Sequence, residues 1–178
     1  MKYLSILALC GVTALSACST GPAQTAGSPR LYRVEAGQEA EVTYRMLDSV
    51  NSLRQARRLA PLQLNAALNA AAATHSRDMA VQNRPWHFGS DGSSPLVRAT
   101  RAGYSGTLLG EDIAETYQTE IETLGDWMKQ VGTREVVLNP AATDMGFAWF
   151  QESSGKLWWT IVTGAGGGGY MPQMAMAQ

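Results

Sequence analysis

The sequence predicts an α+β domain built as a three-layer α-β-α sandwich, with a small, mainly antiparallel sheet covered by helices on both faces. Three observations lead there. Segments 144–152 and 157–163 are rich in aromatic and β-branched residues and are joined by Ser153-Ser154-Gly155-Lys156, the pattern of an antiparallel hairpin. Both segments carry bulk on both faces: Met145, Phe147, Trp149 and Phe150 in the first, and Leu157, Trp158, Trp159, Ile161 and Val162 in the second. A sheet that is apolar on both faces has to be covered on both. Upstream, apolar residues return every three or four positions, which supplies the covering helices.

The chain of 178 residues opens on an export segment. Lys2 precedes an apolar run over residues 3–15, shorter than the ~20 residues a membrane-spanning helix needs. Leu15-Ser16-Ala17-Cys18 resembles a bacterial lipobox. Residues 1–17 therefore read as a lipoprotein signal peptide and Cys18 as the lipidated first residue of the mature chain. The alternative is an ordinary signal peptide with Cys18 incidental, which leaves the position of the cysteine unexplained. Ser19 after the cysteine, rather than Asp, points by analogy with Gram-negative sorting to the outer membrane, with the domain facing the periplasm or the secreted side. Cys10 lies in the removed segment and Cys18 carries lipid, so no cysteine remains for a disulfide, although the compartment permits one. Residues 18–40 are mostly small and polar and read as a flexible tether.

The folded domain is expected over residues 41–164. A first helix is expected over 39–58, with Val42, Met46, Val50 and Leu53 on its apolar face and Arg45, Arg54, Arg57 and Arg58 on a solvated one. Pro61 ends that stretch. Asn65 is a suitable N-cap for a second helix over 66–82, whose apolar stripe of Leu68, Ala72, His75 and Met79 puts His75 on the buried face. A short third helix begins near Pro95, since proline suits a first turn. Residues 108–114 are expected to be extended, and 119–130 to form a fourth helix with Ile121, Leu124 and Trp127 or Met128 on one face. Residues 165–178, rich in Gly and Met, show no pattern that would fold and read as a disordered tail.

Composition narrows the function. Apolar residues make up 45% and charged residues 16%, which fits a globular domain with a real core. A net charge of −1 and the lack of a basic run give no electrostatic reason to expect nucleic acid or an anionic membrane surface as partner. There is no Gly-x-Ser-x-Gly elbow and no cysteine nucleophile in the mature chain. Ser90, Ser93 and Ser94 read as loop and helix-cap residues.

The chemistry-bearing residues gather between Trp86 and Ala114: Trp86-His87-Phe88-Gly89, Asp91-Gly92, Arg98, Gly103-Tyr104 and Gly110-Glu111-Asp112-Ile113-Ala114. In this order, after the helix that carries His75, they resemble the CAP superfamily (cysteine-rich secretory proteins, antigen 5, pathogenesis-related proteins) in its bacterial SCP-like branch. The resemblance runs from about Val50 to Thr163. It implies the α-β-α sandwich and a cleft lined by two histidines and two acids, which in some members binds a divalent metal. His87 matches the first histidine and Glu111 the first acid. The usual string around that acid is Gly-Glu-Asn-Ile-Ala, so Asp112 is a departure. The second acid and second histidine, counted from Trp127 and back from Gly146, fall on Gln130 and Thr133.

Half of the four-residue set is thus replaced, and two ligands are too few for a zinc site, which takes three or four. No metal or other cofactor is expected. Asp112 offers a carboxylate, but strand alternation turns it away from Glu111. Two readings of His87 and Glu111 remain open: general acid–base work in a peptidase-like hydrolase, or a tie between two segments of a non-catalytic module. The resemblance favours a binding module for an envelope component, a protein partner or a sterol-like or other lipid ligand.

Overall fold

The computed structural model describes residues 31–169 and 171. The expectations for residues 1–30, among them the signal peptide, Cys18 and most of the tether, lie outside the described residues, as do 170 and 172–178. The elements run α1 (Glu39–Ala56), β1 (Gln63–Leu64), α2 (Ala66–Gln82), α3 (Pro95–Arg101), β2 (Thr107–Thr116), α4 (Glu120–Lys129), α5 (Val131–Val137), β3 (Asp144–Gln151) and β4 (Leu157–Ala165). The four strands form one sheet in the order β1-β3-β4-β2. The β1–β3 pair is parallel and the other two pairs are antiparallel.

The alternation of side chains along the strands builds two cores. On one face, Met145, Phe147, Trp159 and Ile161 pack with Met46 and Val50 of α1, Leu124 and Trp127 of α4 and Val137 of α5. Phe147 and Trp159 stack with ring centroids 5.4 Å apart. On the other face, Ala148 and Val162 pack with Leu68 and Ala72 of α2, Ala99 of α3 and Tyr104. Small residues let α2 lie close on the sheet. A Cβ on Gly146 would come within 2.2 Å of the Leu68 backbone, so no other residue fits there. Ser76 of α2 adds a buried hydrogen bond to Thr160, at 2.9 Å.

Local chemistry sets the helix ends. The Asn65 carboxamide accepts from the Ala67 and Leu68 amides at the start of α2. Ser94 caps α3 ahead of Pro95, and Thr119 with Glu122 forms a capping box on α4. The first helix stops at Ala56, two residues short of expectation. The chain turns at Arg58, which has a left-handed φ of 59°, and the Leu59 amide folds back onto the carbonyl of Arg54. The Arg54 guanidinium is fully buried and donates to the carbonyls of Ala60, Val137, Asn139 and Ala142, which ties the turn after α1 to the loop after α5. Arg54 is therefore not part of a solvated face.

Two boundaries also differ from expectation. The segment read as tether is already ordered from Leu31. Gln151 at the end of β3 accepts from the Val34 amide and donates to the Tyr32 carbonyl, and the Tyr32 hydroxyl donates to Glu120. At the other end, residues 165–169 and 171 are held rather than disordered. The Gly167 amide donates to Asp144, the Ala66 amide to the Gly169 carbonyl and the Met171 amide to the Leu64 carbonyl. A glycine run is what lets this segment close over Tyr104: a Cβ on Gly167 would sit 2.0 Å from that ring.

Candidate functional site: a carboxylate clamp at the edge of the sheet

Glu111 stands in the middle of β2, opposite Val162, on the face that carries α2 and α3. Its side chain is almost fully buried. A buried carboxylate needs partners, and it has them. Arg98 of α3 donates from Nη2 to both carboxylate oxygens, at 2.9 and 2.7 Å. His87 Nδ1 lies 2.9 Å from Oε1. His75 of α2 lies with Nε2 at 3.6 Å from the same oxygen. Both histidines of the chain thus face one acid.

Arg98 does more than neutralise charge. Its Nη1 donates to the carbonyls of His87 and Ser93, at 3.0 and 2.8 Å, so one guanidinium fixes the 87–93 loop to β2. The same loop is held from α2 by Asp78, which accepts from the Ser90 amide and hydroxyl. Ser90 and Ser94 are the loop and cap residues the sequence suggests. Among the described residues, no hydroxyl or thiol is hydrogen-bonded to the His87 ring.

The electrostatics follow from position. The His87 side chain is half exposed, and its hydrogen bond to Glu111 raises its pKa above the ordinary imidazole value. His75 is fully buried, and burial lowers its pKa, so it is the neutral partner. Asp112 faces the opposite core, opposite Ile161, as alternation requires. It is also buried, Oδ2 has no hydrogen-bond partner among the described residues, and desolvation pushes its pKa up to about 8.

Gln130 and Thr133 do not join this group. Gln130 is exposed at the junction of α4 and α5, and the Thr133 hydroxyl donates to the Trp127 carbonyl. The donor set does not fit a family-type metal: the charge that would balance Glu111 is Arg98, and no cluster of three or more His, Cys, Asp or Glu among the described residues has ligating geometry. The family pattern includes Arg98 without assigning it a role, and helical periodicity puts His75 in the core but not beside Glu111. The signal for Arg98 was its place on a short helix just after a loop rich in turn residues. Nothing in the linear pattern marked the meeting of His75 with Glu111. A groove of about 570 Å³ lies between α2 and α3, lined by Ala70, Thr74, Asp78, Val81 and Arg101, with Arg98 in its wall.

The pattern of the CAP family, described as the Cysteine-rich secretory protein family, matches residues 47–163, more than half of the chain. The protein YkwD of Bacillus subtilis is 32% identical over 114 residues, which is 64% of this chain and 44% of that one, so the chain spans less than half of this relative. An extracellular SCP-domain protein from Bacillus anthracis shares the fold with a TM-score of 0.67 at 21% identity, over 76% of this chain and 45% of that one. An outer surface protein from Borrelia burgdorferi does so with a TM-score of 0.63 at 12% identity, over 76% of this chain and 98% of that one. Family pattern and fold agree: the chain belongs to the CAP family of cysteine-rich secretory proteins.

Proposed function

We propose that this chain is a lipid-anchored, extracytoplasmic CAP-domain protein that binds an envelope component, a protein partner or an apolar small molecule, and does not cleave it. The observation that carries this reading is the occupancy of Glu111. Arg98 takes both of its oxygens and His87 takes one again, so the carboxylate is spent on holding loop to strand. A general base needs a free lone pair within reach of a proton, and a hydrolase of this type needs a nucleophile or an activated water beside it. The lipobox-like Leu15-Ser16-Ala17-Cys18 supports the anchor. The extracellular and outer-surface relatives support export.

Growth with a fatty-acid analogue tests the anchor. Wild type takes up label and Cys18→Ser does not; equal label on both removes the lipobox reading. Crosslinking in the native envelope, followed by identification of captured protein and lipid, tests the binding role. Stoichiometric capture of one component supports it, whereas a hydrolytic activity lost in a still-folded His87→Ala variant overturns it.

A further inference from the structure

We infer that the end of the domain where the chain enters at Leu31 is a membrane-facing surface, built to rest on an anionic phospholipid layer through the 84–88 loop. This rests on the lipid anchor proposed above.

Four segments meet at that end. The β3–β4 turn is its centre. Arg33 donates to the Ser153 carbonyl, and the Leu31 side chain lies 3.4 Å from where a Cβ on Gly155 would sit. On the other side of the turn, Lys156 donates to Asn83 at the end of α2, and the chain continues at once into Arg84, Trp86, His87 and Phe88. The point where the tether joins the domain and the aromatic loop therefore border the same hairpin. From Cys18 to Leu31 is a span of 13 residues, which reaches at most ~45 Å when extended.

The chemistry of this end suits a lipid interface. Phe88 is 48% exposed and Leu31 53% exposed. Trp86 packs on Phe88 with ring centroids 5.6 Å apart, and the Arg84 guanidinium lies 3.8 Å from the centre of the Trp86 ring. Tryptophan beside arginine is the pair that the headgroup layer favours, since one fills the apolar boundary and the other meets phosphate. Arg33, Arg77 and Arg84 are all exposed, and among the described residues none has a carboxylate within salt-bridge distance. Arg77 lies over the ring of Phe150, whose strand partner Trp158 lies under Lys156, so it belongs to the same end. The net charge of −1 conceals this grouping: the acids beside the hairpin, Glu115 and Glu152, pair with Lys156 and not with the arginines. Three unpaired arginines near an anionic surface are attracted together, and salt screens that attraction.

The test uses the full lipidated protein in vesicles of phosphatidylethanolamine and phosphatidylglycerol brominated in their acyl chains. Bromine quenches tryptophan only at short range; Trp127, Trp158 and Trp159 are buried, and Trp149 is partly buried against Phe147 and Trp159. The expected result is quenching in wild type that is lost in Trp86→Phe, weakened in the Arg33→Gln/Arg77→Gln/Arg84→Gln variant, and weakened again when salt shortens the screening length from ~30 Å at 0.01 M to ~3 Å at 1 M. Circular dichroism on each variant establishes that it is folded. Equal quenching in wild type and Trp86→Phe, on protein that carries the Cys18 lipid, overturns the inference and leaves the anchor standing. Absence of lipid on Cys18 removes the anchor itself. Equal quenching in purely zwitterionic vesicles would contradict the role given to the arginines.

Discussion

Asp112 shows how one side chain sets a pH dependence. An unfolded aspartate ionises near pH 3.9, whereas burial holds the folded carboxyl protonated up to about 8. Between those values the folded chain binds the extra proton, so stability falls as the pH rises, by ~1 kcal/mol per pH unit. His87 acts with the same sign. Its raised pKa stabilises fully below the ordinary imidazole value, and that contribution is lost as pH climbs through the raised one. His75 acts oppositely: its lowered pKa gives a contribution present above the ordinary value and lost as the pH falls through the lowered one. We predict that Asp112→Asn, which restores the usual Gly-Glu-Asn-Ile-Ala string of the family, is more stable than wild type at pH 8 and flattens the decline from pH 4. Urea unfolding at pH 5 and pH 8 measures this, and a variant that tracks wild type at both values would refute it. At this scale the sequence made His87, Glu111 and the turn of Asp112 to the other face of the sheet legible, because they follow from a motif and from strand alternation. It did not reveal Arg98 as the centre of the clamp, since which cation reaches a buried acid depends on how two non-adjacent segments meet.

At the scale of elements, the missed pieces share a cause. β1 has only two residues, too few for any alternation to show, and exists because Gln63 and Leu64 pair with Asp144 and Met145. Helix α5 follows α4 directly, with Gln130 as the single residue between, so its seven residues carry no boundary of their own in the sequence. What holds such short pieces is long-range: Arg54 reaches from α1 to the carbonyls at the end of α5. A buried guanidinium on four carbonyls cannot be replaced by the single ammonium of lysine. Arg54→Lys is therefore expected to lose ~2–4 kcal/mol and Arg54→Ala more, since unpaired buried carbonyls remain. Urea midpoints of both variants test this, and a neutral Arg54→Lys would remove the staple. The C-terminal segment makes a similar contribution. A chain that stops after Ala165 loses the hydrogen bonds of Gly167, Gly169 and Met171 and is expected to be less stable by ~2–4 kcal/mol. A shortened chain with an unchanged melting temperature would return that segment to the status of a passive tail.

For the whole molecule, fold and family were open to sequence reading because the sheet is apolar on both faces and the motifs keep their order. The α-β-α layers follow from that pattern, and the two separate cores follow from the layers. Function was less legible, because Gln130 and Thr133, expected to line the cleft, do not join Glu111 in the structure, and the linear pattern names no ligand. Among the described residues no helix is long and apolar enough to cross a membrane. His87, Glu111 and Arg98 form a clamp that holds the 87–93 loop and α3 to β2. Its most direct measurement is a urea-unfolding cycle on wild type, His87→Ala, Glu111→Ala and the double variant. Glu111→Ala strands the Arg98 charge in a buried place and should cost ~3–5 kcal/mol. His87→Ala removes one hydrogen bond at a half-exposed site and should cost ~1 kcal/mol. The double variant should cost less than the sum, because the two changes remove one shared contact. Full stability in both single variants, or strict additivity in the double, would contradict the clamp.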